Sequence, residues 1–140
     1  LTADIAKNSE LIASSGSSLV GYIQAGAGAV ATTVQEVLRQ TVNPLKYGAI
    51  GNGITDDTAA VQAAVDAGYC VDFLSAAYTY KITGAITLRS GQTIIGSGAT
   101  IKQTTNVTSI FNVVNKTNIN ISGLTHDSCL LLVNSSNTAP

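Results

Sequence analysis

Cleavage of a glycosidic bond ordinarily takes two carboxyl groups about 5 to 10 Å apart, one on each side of the bond. The second half of this 140-residue chain is poor in them. From Val71 to Pro140 the only acids are Asp72 and Asp127, and there is no Glu. Asp72 falls at a polar position of a strand-like run and is expected to face solvent. The single His of the chain, His126, stands beside Asp127 in the run GLTHDS. A His–Asp pair suggests a general base and its orienter, yet neighbours on an extended strand point to opposite faces. No catalytic residue is expected within this chain: His126 and Asp127 come nearest to candidates, but a turn-stabilising Asp and a half-exposed His is the favoured reading.

Lyase chemistry on uronic acids asks for a Lys or Arg base and usually for Ca²⁺ held by clustered carboxylates. Lys81, Arg89, Lys102 and Lys116 are scattered and no acidic cluster accompanies them. Neither a metal nor another cofactor is expected. The sequence has no phosphate-binding loop, dinucleotide fingerprint or nucleophile elbow. Cys70 and Cys129 lie 59 positions apart with no His or second Cys at metal-ligand spacing, and read as buried thiols. The remaining acidic pair, Asp56-Asp57, beside a glycine turn, suits either a catalytic or metal-binding dyad or the start of a helix.

The elements around that pair favour the helix. In LKYGAIGNGITDDTAAVQAAVDAG, Leu45 to Gly68, a weakly strand-like opening gives way to Gly51, Asn52 and Gly53, which tolerate left-handed φ. Thr55, Asp56 and Asp57 are then the candidate caps, accepting from the first free N–H groups at the positive end of the helix dipole. Ala60, Val61, Ala64 and Val65 form one apolar stripe, and Gly68 ends the helix. The run from Gly48 to Ala64 resembles the N-terminal signature of the pectate-lyase-like superfamily, GA-x-G-[DN]-G-x-[TS]-D-D-T-x-A-[IV]-Q-x-A, with Asn52 where many members carry Asp. The resemblance implies a right-handed parallel β-helix. That fold hosts lyases, hydrolases, epimerases and non-catalytic fibres, so it does not name a reaction.

Residues 1–41 differ in texture. Thr2 to Ile12 reads as a short helix and Ser14 to Ser18 as a flexible joint. From Ala29 to Gln40, the positions of Val30, Val34, Val37 and Leu38 predict one amphipathic helix, too narrow in its apolar stripe to stand alone. Those four residues are the expected contacts of a threefold bundle, a lone capping helix on a monomer being the alternative. The run SGSSLVGYIQAGAGAVATTVQEVLRQ, followed by KYGAIGNGITDD, looks like the connector between the virion-binding part and the β-helix of bacteriophage tailspike and tail-fibre proteins. The family resemblance implies a homotrimer.

Beyond Gly68, short runs rich in β-formers alternate with Gly, Ser, Thr and Asn. Strands are expected near Val71–Leu74, Tyr80–Ile82, Ile86–Arg89, Thr93–Ile95, Thr100–Lys102, Ser109–Val113, Asn118–Ile121 and Leu130–Val133. Ile86 to Ile110 is 24 positions and Ile94 to Ile119 is 25, while Ile95-Gly96 and Ser122-Gly123 end equivalent strands. A period of about 20 to 30 residues is that of a solenoid coil. Ile86, Leu88, Ile94, Ile101, Ile110, Ile119, Ile121, Leu124, Leu130 and Leu132 are the expected inward columns. A β-sandwich competes, but leaves the repeat and the helix-first signature unexplained.

The fold class is thus mainly β: the first coils of a right-handed parallel β-helix, preceded by an α-helical, trimeric connector and a capping helix. The expected division is a virion-proximal connector and neck helix at 1–41, a strand-turn-helix cap at 42–70, and first coils at 71–140. A formal charge of −1 with 11% charged residues offers no basic patch for nucleic acid. The apolar run from Leu19 to Ala31 is too short and too broken to insert in a membrane. No basic segment with an apolar run opens the sequence, and a piece of a longer subunit is expected. That subunit would be assembled in the host cytoplasm and carried on the virion tail. It would dock on other tail or baseplate proteins through its N-terminal region. Its downstream coils, outside this chain, would bind and in some cases depolymerise bacterial surface polysaccharide. A secreted polysaccharide lyase or hydrolase, and a non-catalytic fibre or adaptor, are the alternatives.

Overall fold

The computed structural model describes residues 16–104 and 109–127, and the backbone of 133–134. The expected helix from Thr2 to Ile12, and Cys129, Leu130 and Leu132, lie outside the described residues. The chain forms two compact units, Leu1–Gln40 and Thr41–Pro140.

In the first unit a single 3₁₀ turn, Gly16–Ser18, leads into strand β1 (Gly21–Ile23), which pairs antiparallel with β2 (Ala31–Thr33). Helix α1 (Val34–Arg39) follows directly. The amphipathic helix expected from Ala29 is therefore only six residues long, and Val30 lies ahead of a strand rather than on its stripe. The cause is a capping box. The Thr33 hydroxyl accepts the Glu36 N–H at 3.2 Å and the Glu36 carboxylate accepts the Thr33 N–H at 3.0 Å, which fixes the helix start at Val34. Its signature, Thr33-x-x-Glu36, was present in the sequence.

The second unit is a solenoid of three parallel sheets. Strands β3 (Thr41–Val42), β5 (Cys70–Asp72), β8 (Thr93–Ile95) and β11 (Asn120–Ser122) form one. The second holds β4 (Asn52–Asp56), β6 (Thr79–Ile82), β9 (Thr100–Gln103) and β12 (Thr125–Asp127). The third holds β7 (Ile86–Thr87), β10 (Phe111–Asn112) and β13 (Val133–Asn134). In the first coil a 3₁₀ turn, Pro44–Tyr47, separates β3 from β4, and helix α2 (Thr58–Ala67) stands where later coils place their third strand.

In-register parallel pairing stacks like positions into columns. Val42, Val71, Ile94 and Ile121 form one; Ile86 and Phe111 begin another. Val71, Ile94, Ile86 and Phe111 are fully buried, as are Leu88 and, within 1% exposure, Ile101 and Ile110. Each such side chain contributes roughly 1.5–3 kcal/mol on leaving water. Ile119, Ile121 and Leu124 pack half-buried against this core. The coil offsets differ from the expected ones: Ile94 pairs with Ile121, not Ile119, and Ile86 with Phe111, not Ile110. Ile95 does pair with Ser122. Turns of unequal length shift the register of a solenoid from coil to coil, which spacing between isoleucines alone does not reveal. At one turn the coils touch backbone to backbone. A Cβ on Gly96 would lie 2.3 Å from the Gly123 carbonyl, so only glycine fits there.

Candidate functional site

The signature segment builds the loop and helix of the first coil, and its polar residues hold that loop and helix in place. Asp57 is 1% exposed. Its two oxygens accept from successive backbone amides, Oδ1 from Ile50 N–H at 2.8 Å and Oδ2 from Gly51 N–H at 3.1 Å. Asp57 occupies the N-cap position of α2, but its side chain makes no capping bond. The carboxylate is spent on closing the loop. Asp56 takes over the helix end: its Oδ1 accepts from Thr58 N–H at 3.0 Å and Thr58 Oγ1 at 2.5 Å, and its Oδ2 from Thr83 Oγ1 at 2.6 Å. These bonds, with the positive charge of Lys81 adding a little, hold the Asp56 carboxyl below the usual carboxylate range. Thr55 does not cap. Its hydroxyl accepts from Asn52 Nδ2 at 3.3 Å, because the Asn52 side chain also takes the Ile54 and Thr55 N–H groups and folds that stretch on itself. Both carboxylates of the Asp56-Asp57 pair are thus engaged by backbone amides and threonine hydroxyls, as loop and helix-end acceptors.

The other end of α2 is fastened by two residues that the sequence reading missed. Gln92 is fully buried, and its Nε2 donates to the carbonyls of Val65 at 2.6 Å and Gly68 at 2.8 Å. Arg89 Nη2 donates to the same two carbonyls at 2.9 and 3.1 Å, and its guanidinium lies 4.9 Å from the centroid of the Tyr69 ring. A cation and an amide at a helix C-terminus satisfy orphan carbonyls and oppose the dipole. The available signal was a polar residue, Gln92, two positions before the fully buried Ile94 in a strand-rich segment.

The catalytic candidates sit on β12, both exposed. Register puts His126 opposite Ile101, which is opposite the fully buried Tyr80, so His126 belongs to the inward column. Asp127 is opposite Lys102, which is opposite Lys81, which is opposite Asp56. That ladder runs along the outer face. His126 and Asp127 therefore leave opposite faces of one strand and do not form a base–orienter pair. Beside the charged ladder runs a polar one, Asn52, Thr79, Thr100 and Thr125. Asp72 serves a turn: its Oδ1 accepts from the N–H of Leu74 at 2.8 Å, holding that residue at φ 75°. Tyr80 donates to the Phe73 carbonyl at 3.2 Å, and burial pushes its phenol up to about 12. Among the described residues no group of three or more His, Cys, Asp or Glu is placed to hold a metal ion, and no helix is long and apolar enough to cross a membrane.

No protein-family model matches the chain. Among solved structures it is similar to tailspike protein 3 of bacteriophage CBA120, with a TM-score of 0.62 and 22% identity over 81% of this chain and 20% of that one. It is also similar to the tailspike of E. coli bacteriophage HK620 in complex with a hexasaccharide, with a TM-score of 0.60 and 15% identity over 89% of this chain and 32% of that one. This is the tailspike β-helix fold. The coils described above are thus right-handed, like those of the tailspikes. Among curated proteins the chain is similar to mannuronan C5-epimerases AlgE5 and AlgE2 of Azotobacter vinelandii. Each is 37% identical over an alignment of 67 positions, covering 40% of this chain. The tailspike-like chain spans 7% of the length of those curated relatives.

Proposed function

We propose that this chain is the connector and first coils of a phage tailspike or tail-fibre subunit, joining a trimeric, host-recognising β-helix to the virion. The observation that supports the reading most is the surface of the first unit. Leu19, Val20, Tyr22, Ile23, Val30 and Leu38 are all exposed around a two-stranded hairpin and a six-residue helix, the last two at 80% and 60%. Neither element is stable by itself in water. Three copies about an axis would bury them, with Val34, Val37 and Leu38 on α1 and Val30 ahead of β2 as the contacts. Residues 1–41 would be the connector, 42–70 the cap and 71–140 the first coils. The N-terminal region would dock on other tail or baseplate proteins, and assembly would take place in the host cytoplasm.

The complete subunit, on this reading, binds bacterial surface polysaccharide through downstream coils and depolymerises it. Support comes from the fold shared with a tailspike that was solved with a hexasaccharide. Incubating the complete subunit with host capsule or O-antigen tests it: shortened polymer is expected, and unchanged length leaves a non-catalytic fibre or adaptor. A second reading rests on the 37% identity to mannuronan C5-epimerases. It makes the complete protein a free-standing secreted enzyme acting on polysaccharide, and that enzyme would be monomeric.

A further inference from the structure

Along a strand of a parallel sheet, backbone groups of alternate residues point to alternate neighbours. On β7 and just past its end, the N–H groups of Ile86 and Leu88 donate to the carbonyls of Ile110 at 2.8 Å and Asn112 at 3.0 Å, on the β10 side. Thr87, between them, offers its N–H and C=O to the opposite edge, where the first coil has α2 in place of a strand. A helix backbone cannot pair with that edge, since its own groups are used internally. One side chain takes both: Thr87 N–H donates to Gln62 Oε1 at 2.8 Å, and Gln62 Nε2 donates to Thr87 O at 3.1 Å. A primary amide carries the donor and acceptor of a peptide group, so this pair reproduces one rung of a ladder. Asp66 Oδ1 accepts a second bond from Gln62 Nε2 at 3.0 Å, which orients the amide. One helical turn earlier, on the same face, Thr58 Oγ1 accepts from Thr83 N–H at 2.9 Å.

We infer that α2 acts as a surrogate strand, and that Gln62 is the side chain that keeps the β7 edge from adding an extended strand of a second copy of this chain. An uncovered edge is a template for strand addition. Without the Gln62 amide, α2 is held to the solenoid mainly by its buried apolar side chains, Val61, Ala64 and Val65, and by its end contacts. Thr87 is then left with an open donor and acceptor.

The test uses the full chain with Gln62→Leu, which keeps volume and loses both bonds. Amide hydrogen exchange is followed at Ile86, Thr87 and Leu88, with mass by light scattering as a function of concentration. The expected result for Gln62→Leu is exchange at Thr87 faster by about tenfold, as for loss of one net hydrogen bond, while Ile86 and Leu88 stay protected. Its mass should rise with concentration beyond that of the unsubstituted chain. Unchanged exchange at Thr87, equal loss of protection at all three amides, or an opened Thr87 without added association would overturn the inference.

Discussion

The carboxylate of Asp57 accepts the N–H of Gly51 at 3.1 Å, and through that bond a buried acid sets the path of the loop ahead of its own helix. Gly51 has φ 66°, and a Cβ there would lie 2.9 Å from Tyr78 Cδ1. The acid and the glycine of the signature are one device, in which a backbone turned toward the core by a glycine is paid with a side-chain acceptor. Removing Asp57 as Asp57→Ala strands two amides, one of them fully enclosed. A loss of about 3 kcal/mol is expected in urea unfolding, from the usual cost of unsatisfied buried donors. Asp57→Asn keeps one acceptor oxygen and should lose less than Asp57→Ala.

Asp56 should make the solenoid acid-sensitive. Its folded-state pKa lies below the ordinary value of 3.8 because Thr58 and Thr83 bond the charged form. A depressed carboxyl contributes stability that is present above the unfolded pKa and is lost as pH falls through the folded one. The urea midpoint should therefore drop as pH is lowered below about 4. In Asp56→Asn part of that slope should be missing, and an identical slope in the two proteins would remove Asp56 from the account.

Tyr80 should titrate late. Burial raises its phenol to about 12 from an ordinary value of 10.0. The raised value means that its contribution is intact below the unfolded pKa and disappears as pH rises through the folded one. Absorbance at the tyrosinate band should show an ionisation near pH 12 that is absent in Tyr80→Phe. Identical titrations of the two proteins would contradict the raised value for Tyr80.

Gly96→Ala tests the close approach of two coils at one turn. The added Cβ would lie 2.3 Å from backbone atoms of Gly123 and Leu124, with no flexible side chain to give way. A cost of about 3 kcal/mol or more is expected, at the upper end of overpacking. Gly21→Ala, where nothing lies within 4 Å, is the comparison and should be near neutral.

Much of the solenoid could be read from residues. Thr93–Ile95 is a strand with the bounds that its β-branched run suggested, and Ile86, Leu88, Ile94, Ile101 and Ile110 are inside because aliphatic residues at coil spacing have few other places to go. Strand β12, Thr-His-Asp, was not legible, since none of its side chains is apolar and only pairing with β9 makes it extended. Of the three candidate caps, Thr55, Asp56 and Asp57, Asp56 alone bonds the start of the helix, and Asp57 was misjudged for the same kind of reason. A cap is decided by local geometry, but Asp57 answers to Ile50 and Gly51 across a loop. Gln62 and Gln92 were invisible as joint residues because their partners, Thr87 and Gly68, lie 25 and 24 positions away.

On the proposed reading, the exposed apolar side chains of the first unit are covered by two further copies of the same chain. Light scattering on the complete subunit across the micromolar range measures this directly. Three times the chain mass is expected at every concentration. A constant monomer mass would contradict it and favour the free-standing polysaccharide enzyme.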